Sequence, residues 1–301
     1  MSTEPEHTHS HEARVTAGSE RRVRLVFIGT ASYAIIQAIG GWLSGSLALV
    51  ADSGHMVSDA AALLLALIAY RVAARAPDAA RSYGFHRVRV LAALANGATL
   101  LLLVAWITWE AVNRFREPTE VLAGPMLIVA VIGLVVNIVG ALVLRSGDKG
   151  DANLRGALLH VMGDLLGSVG AIAAAIGIML TGWTVLDPIL SVLVAALVVR
   201  ASWTLVTESL QVLLQAMPRG LNTPVVERDL LTIPGVAEVG HFHAWTLSDH
   251  SIVATIHVAP DEGVDPLKLP ALVVERLHQN YGIDHVTVQV DPPGQIHQVK
   301  H

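Results

Sequence analysis

The chain has no cysteine and few charged side chains, although it is 301 residues long. Without cysteine it forms neither disulfides nor thiolate metal sites, so any bound metal must be held by nitrogen and oxygen ligands. Charged residues make up 15% of the chain and hydrophobic residues 53%, against about 25% and roughly 45–50% in ordinary soluble domains. The formal net charge of −5 also excludes a strongly basic, nucleic-acid-binding protein.

The charges are divided unevenly along the chain. Residues 1–216 carry 15 acidic and 15 basic side chains, whereas residues 217–301 carry 10 acidic and 5 basic ones and so supply the whole net charge. A long, apolar and neutral part is therefore followed by a short acidic part of ordinary composition. The expected organisation is a tail at 1–20, a membrane domain at 21–216, a soluble domain at 217–293 and a second tail at 294–301.

Six apolar segments are long enough to cross a membrane. A transmembrane helix needs about 20 mainly apolar residues, because the hydrocarbon core of a bilayer is roughly 30 Å thick. The segments are residues 25–43, 46–70, 90–109, 122–144, 154–180 and 188–214. The first part of the chain is thus predicted to be an α-helical membrane domain of six transmembrane helices.

Basic residues near the connections set the expected orientation, because short loops rich in lysine and arginine stay in the cytoplasm. Four arginines precede the first span, five follow the second, and three basic residues lie around the connection after the fourth. The opposite connections hold only Arg114 and Arg116. We therefore expect both termini in the cytoplasm. The first 24 residues are polar and lack the apolar stretch of a cleavable signal peptide.

The N-terminal tail carries three alternating histidines, His7, His9 and His11, in a polar setting without apolar periodicity. Such a composition predicts disorder. Two interpretations stay open for these histidines: a tail that gathers metal loosely, or a solvated tail without function.

The C-terminal part has the pattern of a small α/β domain. Alternating apolar residues and turn signals predict an α-β-β-α-β order, which is the order of a ferredoxin-like fold. The elements are a helix at 224–233, strands at 236–247 and 251–259, a helix at 266–281 and a strand at 285–290. A domain of about 75 residues has a small core, so we expect it to pack against a second copy of itself or against the membrane domain.

Two matched His-x-x-x-Asp pairs lie inside otherwise apolar spans, and they are the most informative feature of the sequence. His55 and Asp59 stand in the second span, and His160 and Asp164 in the fifth. A spacing of four residues places both side chains of a pair on one helix face. Ionisable groups at membrane depth are costly and usually functional. Two imidazoles and two carboxylates complete a tetrahedral shell of the kind that Zn²⁺ accepts.

The charge of these four groups suggests a transport mechanism. Two carboxylates and two neutral imidazoles sum to −2, so a divalent cation makes the site neutral. Metal binding requires deprotonated ligands, so protons compete for the same groups and exchange of Zn²⁺ for H⁺ follows. A competing interpretation is that the pairs are buried hydrogen bonds that only tie helices together. Asp52, three residues before His55, is a candidate for orienting a ligand or carrying a proton.

The sequence resembles the cation diffusion facilitator family over about residues 20 to 293. The motifs that carry the resemblance are Gly45-Ser46-Leu47-Ala48-Leu49, Ala51-Asp52-x-x-His55-x-x-x-Asp59, Ser82-Tyr83-Gly84-Phe85-His86-Arg87, Asp187-Pro188 and His243-Ala244-Trp245-Thr246-Leu247. The His-Asp pairs are similar to those of the zinc-exporting branch. The resemblance implies a homodimeric Zn²⁺/H⁺ antiporter in the lipid bilayer of a bacterial inner membrane, which moves zinc out of the cytosol.

The resemblance also implies a metal site in the soluble domain. His257, His285 and Asp291 match family positions that bind zinc at the dimer interface, and His243 stands near them. Zinc bound there would be regulatory, because a ligand that links two soluble domains shifts a conformational population. The remaining histidines of this part are expected to be ordinary solvated residues: His241, His250, His278, His297 and His301.

The chain departs from the family at two positions. Arg89 stands where the family usually has glutamate at the start of the third span, and Gln215 stands where an acidic residue commonly precedes the soluble domain. A charge interlock between these regions is therefore not expected, and Arg87 and Arg89 have no obvious acidic partner. The loop after the second span keeps Asp78 and His86, which form at most a weak metal site.

Three other functions compete with zinc export. The main ion is alternatively cobalt, nickel or cadmium, because nitrogen and oxygen ligands select weakly among these metals. An intramembrane metalloenzyme is disfavoured, since the chain has no His-Glu-x-x-His motif and four ligands leave no position for a catalytic water. A membrane-anchored metal sensor is the last alternative, although a passive anchor needs no intramembrane ionisable groups. We expect a transporter and not an enzyme.

Overall fold

The computed structural model describes residues 17–146, 152–248 and 251–296. Six long helices come first in the chain. They are α1 (Ala17–Ser44), α2 (Leu47–Ala73), α3 (Val88–Arg116), α4 (Ala123–Arg145), α5 (Ala152–Thr181) and α6 (Leu186–Leu213). Each is long and apolar enough to cross a membrane, which confirms the six predicted spans. The protein is thus an integral, multi-pass membrane protein.

The helices run past the predicted spans where the flanking residues are polar but still favour helix. α1 begins at Ala17, before a group of three arginines, and α3 continues to Arg116. The apolar stretch measures only the hydrocarbon core, whereas a helix can continue into the wetter interface on either side. The apolar segments therefore located the six helices correctly but underestimated their lengths.

The C-terminal part folds in the predicted α-β-β-α-β order. Its elements are α7 (Thr223–Leu230), β1 (Val236–Ser248), β2 (Ser251–Pro260), a 3₁₀ turn (Pro266–Lys268), α8 (Leu269–Tyr281) and β3 (His285–Val290). The three strands form one sheet in the order β1-β2-β3, with β1 antiparallel and β3 parallel to the central strand β2.

The first turn of the predicted helix at 266–281 is a 3₁₀ turn and not α-helix. The Asp265 carboxylate accepts a hydrogen bond from the Leu267 N–H at 3.1 Å, which closes a tight turn. Pro270 has no N–H and so cannot donate the hydrogen bond that would continue an α-helix from Pro266. The regular helix consequently starts only at Leu269.

The chain divides into two compact units. One unit comprises residues 1–64 and 98–203, and the other comprises residues 65–97 and 204–301. The first unit packs α4 against α1 and α5 through small residues that let the helices approach closely. At Gly133 a Cβ atom would overlap the Tyr33 side chain, whose hydroxyl donates to the Val129 carbonyl at 2.9 Å.

The core of the second unit lies between its sheet and its two C-terminal helices. Val226 of α7, Val273 and Leu277 of α8, and Ile256 and Val258 of β2 are all fully buried in one cluster. This cluster fixes the strands on which the histidines of the soluble domain stand.

Candidate metal centres

The four intramembrane residues predicted as ligands converge between α2 and α5. The Asp59 Oδ2 atom lies 3.6 Å from His55 Nε2 on its own helix and 3.4 Å from His160 Nε2 on α5. His160 Nε2 is in turn 3.6 Å from Asp164 Oδ2. His55, His160 and Asp164 offer ligand atoms that all lie within 4.8 Å of one another. Asp59 is not a member of that tightest group, yet it contacts both histidines.

These separations suit a tetrahedral zinc ion. Ligands at about 2.0–2.2 Å from a tetrahedral Zn²⁺ are separated from one another by about 3.3–3.6 Å. The three measured His-Asp distances of 3.4, 3.6 and 3.6 Å lie in or at the edge of that interval. They are longer than ordinary hydrogen bonds between nitrogen and oxygen, which are about 2.7–3.2 Å.

Buried polar atoms at this site have no hydrogen-bond partner among the described residues. They are His55 Nδ1, Asp59 Oδ2 and Asp164 Oδ2. Asp164 is the most enclosed of the four residues, at 5% exposed, whereas His160 is exposed. A buried carboxylate oxygen without a donor is costly, so its persistence points to a cation or proton as its partner.

A cavity of about 110 Å³ reaches the site from between α1, α2 and α5. Asp59, His160 and Asp164 line its inner end, and Val23 and Ala157, near the beginnings of α1 and α5, line it as well. Its walls are otherwise mainly apolar. The cavity therefore extends from the carboxylates along the first halves of α1 and α5.

Asp52 lies beside this centre and is held by neighbouring helices. Its Oδ2 accepts a 2.6 Å hydrogen bond from Nε2 of Gln37, a residue of α1 that is 1% exposed. A Cβ added at Gly167 of α5 would lie 3.2 Å from Asp52 Oδ1, so the glycine permits a close approach of α5 to this carboxylate.

A second cluster of histidines lies on the sheet of the soluble domain. His257 Nδ1 and Asp291 Oδ2 are 2.7 Å apart. The ring of His241 is 5.0 Å from that of His257, and the ring of His243 is 6.0 Å from that of His241. This cluster is looser than the intramembrane one, which alone among the described residues brings three ligand atoms within 4.8 Å.

His241 joins this cluster because β1 is irregular there. The register with β2 shifts between Gly240 and His243, and His241 has a left-handed backbone with φ of 54°. Such a conformation is uncommon for residues other than glycine and is often found at functional sites. The expectation that His241 is an ordinary solvated residue therefore does not fit its position.

His285 does not join the cluster within one chain. It pairs with Val253 at the start of β3, whereas His257 pairs with Gln289, four residues further along the same strand. At about 3.3 Å per residue this places the two histidines more than 10 Å apart along the sheet. The His285 ring instead contacts Tyr83 edge-on, with ring centroids 5.9 Å apart.

Two family models together match most of the chain. Residues 23–214 match the cation efflux transmembrane domain, and residues 218–293 match the cation efflux protein cytoplasmic domain. The chain belongs to the cation diffusion facilitator family.

Close relatives of this family member are bacterial transporters. Zinc transporter ZitB of Pectobacterium atrosepticum is 45% identical over 287 residues, covering 95% of this chain and 88% of the relative. Zinc transporter ZitB of Escherichia coli is 41% identical, covering 95% and 92%. The cadmium, cobalt and zinc/H(+)-K(+) antiporter of Bacillus subtilis is 36% identical, covering 96% and 93%.

The loop between α2 and α3 of this cation diffusion facilitator does not bring Asp78 and His86 into one metal group. Asp78 accepts hydrogen bonds from the amides of Ala80 and Arg81 at 2.9 and 2.8 Å, and its Oδ2 pairs with Arg81 Nη1 at 2.9 Å. Desolvation opposes ionisation, but these donors outweigh it and hold the pKa of Asp78 below its usual value. His7, His9 and His11 lie outside the described residues.

The arginine that replaces the family's glutamate is accommodated by an aromatic ring. The guanidinium carbon of Arg89 lies 4.8 Å from the centroid of the Tyr70 ring, a cation–π arrangement. Gln215 follows the end of α6 with a left-handed backbone, φ 57°.

Asp187 anchors the beginning of the helix that carries His55, a role that the sequence analysis missed. It is fully buried and accepts hydrogen bonds from the Ser46 hydroxyl at 2.6 Å and the Leu47 and Ala48 amides at 2.7 and 3.3 Å. Arg114 Nη1 lies 3.5 Å from its Oδ2. Asp187 therefore caps α2 from the first turn of α6, across 140 residues of sequence. The Asp187-Pro188 pair at the start of the sixth span was the sequence feature that could have indicated this role.

Proposed function

We propose that the protein exports Zn²⁺ from the cytosol in exchange for protons, and that His55, Asp59, His160 and Asp164 bind the transported ion. The observation that carries the proposal is the convergence of two His-Asp pairs from α2 and α5 at separations near those of tetrahedral zinc ligands. The family membership and the transporters named among the relatives support it.

Protons are the natural counter-substrate of such a site. The four ligands carry a charge of −2 when both histidines are neutral, and one Zn²⁺ neutralises that charge. After release of zinc, the negative carboxylates of Asp59 and Asp164 would both remain beside His160 without a cation. Protonation relieves this repulsion and also lowers metal affinity, because each protonated ligand is lost to the metal. The antiporter name of the Bacillus subtilis relative agrees with proton coupling.

The cavity suggests the direction from which the ion enters. It is lined by residues near the first turns of α1 and α5, which the distribution of basic residues assigns to the cytoplasmic side. In this orientation both termini are cytoplasmic, the chain lies in the bacterial inner membrane, and the site is reached from the cytosol. Release on the other side would follow when the helices rearrange.

The soluble domain is proposed to act as a regulatory zinc site in a homodimer. His257 and Asp291 form its closest pair, and His241 and His243 stand around them. Since the described residues of one chain do not bring four ligands to zinc distance here, we propose His285 of one protomer for completing the site of its partner. Cadmium and cobalt are proposed as further transported ions, because this donor set discriminates weakly among them.

Zinc uptake into everted membrane vesicles under an imposed pH gradient tests the transport proposal. We expect uptake that follows the gradient and that Asp59→Asn abolishes, because the neutral amide leaves the bound ion with an uncompensated charge. Glu208→Gln is the matched control, since Glu208 is half-exposed and pairs with Arg219 away from the ligands. Gradient-independent uptake would contradict proton coupling, and normal uptake by Asp59→Asn would contradict the ligand assignment.

A further inference from the structure

A second cavity, of about 440 Å³, lies within the unit formed by residues 65–97 and 204–301. The loop that precedes α3 forms one wall, and Gln215 after α6 and Trp245 of β1 line the remainder. This volume falls in the range of about 300–1,000 Å³ that is typical of small-molecule sites. None of the four proposed transport ligands lines it.

The lining of this cavity is cationic and aromatic. It includes Arg81, His86 and Arg87 but no carboxylate. Arg81 is already occupied, since it pairs with Asp78 and lies over the Phe85 ring at 4.7 Å. Among the arginines that line the cavity, Arg87 is the one for which no acidic partner is found in the described part of the chain.

Arg87 has the properties of an anion ligand. Its Nε is buried and has no hydrogen-bond partner among the described residues. It directly precedes Val88, the first residue of the 29-residue helix α3. A buried guanidinium N–H without an acceptor is costly, and a phosphate or carboxylate oxygen satisfies it.

The opposite wall offers a donor and not a competing acid. Gln215 places an amide at this wall, and its NH₂ group can donate a hydrogen bond to an anion. Trp245 and Tyr83 add amphipathic rings, and Tyr83 is fixed by its edge contact with His285. Such rings suit a ligand with both a polar and an apolar part.

We propose that this cavity binds a phosphate-bearing organic anion, with Arg87 as its principal ligand and Gln215 as a second donor. Inorganic phosphate alone would leave most of the volume unfilled, so the ligand carries an organic group. The cavity lies where two membrane-spanning helices, α3 and α6, begin and end, which a phospholipid headgroup can reach as well as a soluble organic phosphate. The two sources share the chemistry that Arg87 recognises.

The full-length protein in nanodiscs of phosphatidylcholine, with and without phosphatidylglycerol, provides the test. Native mass spectrometry measures the phosphatidylglycerol retained, and glycerol 3-phosphate is added as the soluble competitor. We expect retention by the parent protein and about tenfold weaker retention by Arg87→Gln, which loses a charge-assisted contact. Arg219→Gln is the matched control, since Arg219 is 78% exposed, lies on the same side and does not line the cavity.

A second variant keeps the test decisive if Arg87→Gln unfolds. Gln215→Glu places a carboxylate inside the cavity, so it should satisfy Arg87, raise the unfolding temperature and displace the ligand. Displacement of the lipid by glycerol 3-phosphate would show that the site accepts the soluble source, and retention of the lipid would show that it takes the headgroup. Absence of phosphatidylglycerol-specific binding, or equal loss in Arg219→Gln, would overturn the proposal.

Discussion

Replacing Asp187 tests whether one buried carboxylate holds the helix that presents half of the transport site. Asp187→Ala removes the acceptor of three hydrogen bonds and leaves Arg114, whose side chain is only 16% exposed, without its buried counter-charge. Loss of an N-cap acceptor destabilises by about 1 kcal/mol, and breaking a buried ion pair from one side by about 3–5 kcal/mol. Because the two effects share one carboxylate and Arg114 keeps its 2.9 Å contact with Glu110, we expect the lower end of this range, about 3 kcal/mol in total.

Equilibrium unfolding in mixed micelles, followed by circular dichroism, measures this loss. Asp187→Asn keeps one acceptor oxygen but not the charge, so we expect a smaller destabilisation of about 1–3 kcal/mol. Glu110→Gln is the matched control, because Glu110 contacts the same arginine at 2.9 Å from a partly exposed position and should contribute less than about 1 kcal/mol. If Asp187→Ala were no less stable than Glu110→Gln, the anchoring role would be refuted.

Three further predictions concern the metal centres. Asp164→Ala should abolish zinc transport in liposomes while the protein remains folded by circular dichroism, and near-normal flux would contradict its role as a ligand. His55→Asp should weaken the preference for zinc over cadmium, because a third carboxylate makes a harder, more negative site; an unchanged ratio of the two fluxes would count against this. His241→Ala combined with His257→Ala should shift the zinc concentration for half-maximal transport more than the maximal rate, since a regulatory ligand acts through differential affinity for two states. His285→Ala is measured for comparison. If the double variant gave the same concentration curve as the parent protein, His241 and His257 would have no regulatory role.

The spans and the proximity of the four proposed transport ligands could be predicted from the sequence because both depend on local pattern. A run of about 20 apolar residues has few folded alternatives to a membrane helix. Within it, the spacing of His55 and Asp59 fixes a shared face whatever the surrounding helices do. We expect this pair to lie near His160 and Asp164, because an isolated charged group at membrane depth is energetically costly and needs a partner.

The soluble-domain cluster could not be predicted in the same way, because it depends on a local irregularity. A regular β1 would direct His241 and His243 to one face, and the shift between Gly240 and His243 changes which neighbour each meets. The resemblance assigns His257 and His285 to a zinc site at the dimer interface, and the strand register shows that they lie apart within one chain. The capping role of Asp187 could not be predicted from local pattern either, since the groups that donate to its carboxylate lie about 140 residues earlier in the chain.

If His55, Asp59, His160 and Asp164 bind the transported ion as proposed, the division of these ligands between two helices gives a way to bind the ion and still release it. Within each pair, the helix fixes the separation of histidine and aspartate. Between the pairs, the 3.4 Å distance from His160 Nε2 to Asp59 Oδ2 depends on how closely α2 and α5 approach. A relative shift of about 1 Å would lengthen it to about 4.4 Å, beyond the roughly 3.6 Å that ligands of one tetrahedral zinc ion can span. A small helix movement therefore converts a four-ligand site into two incomplete ones, and protonation of the released carboxylates stabilises that separated state.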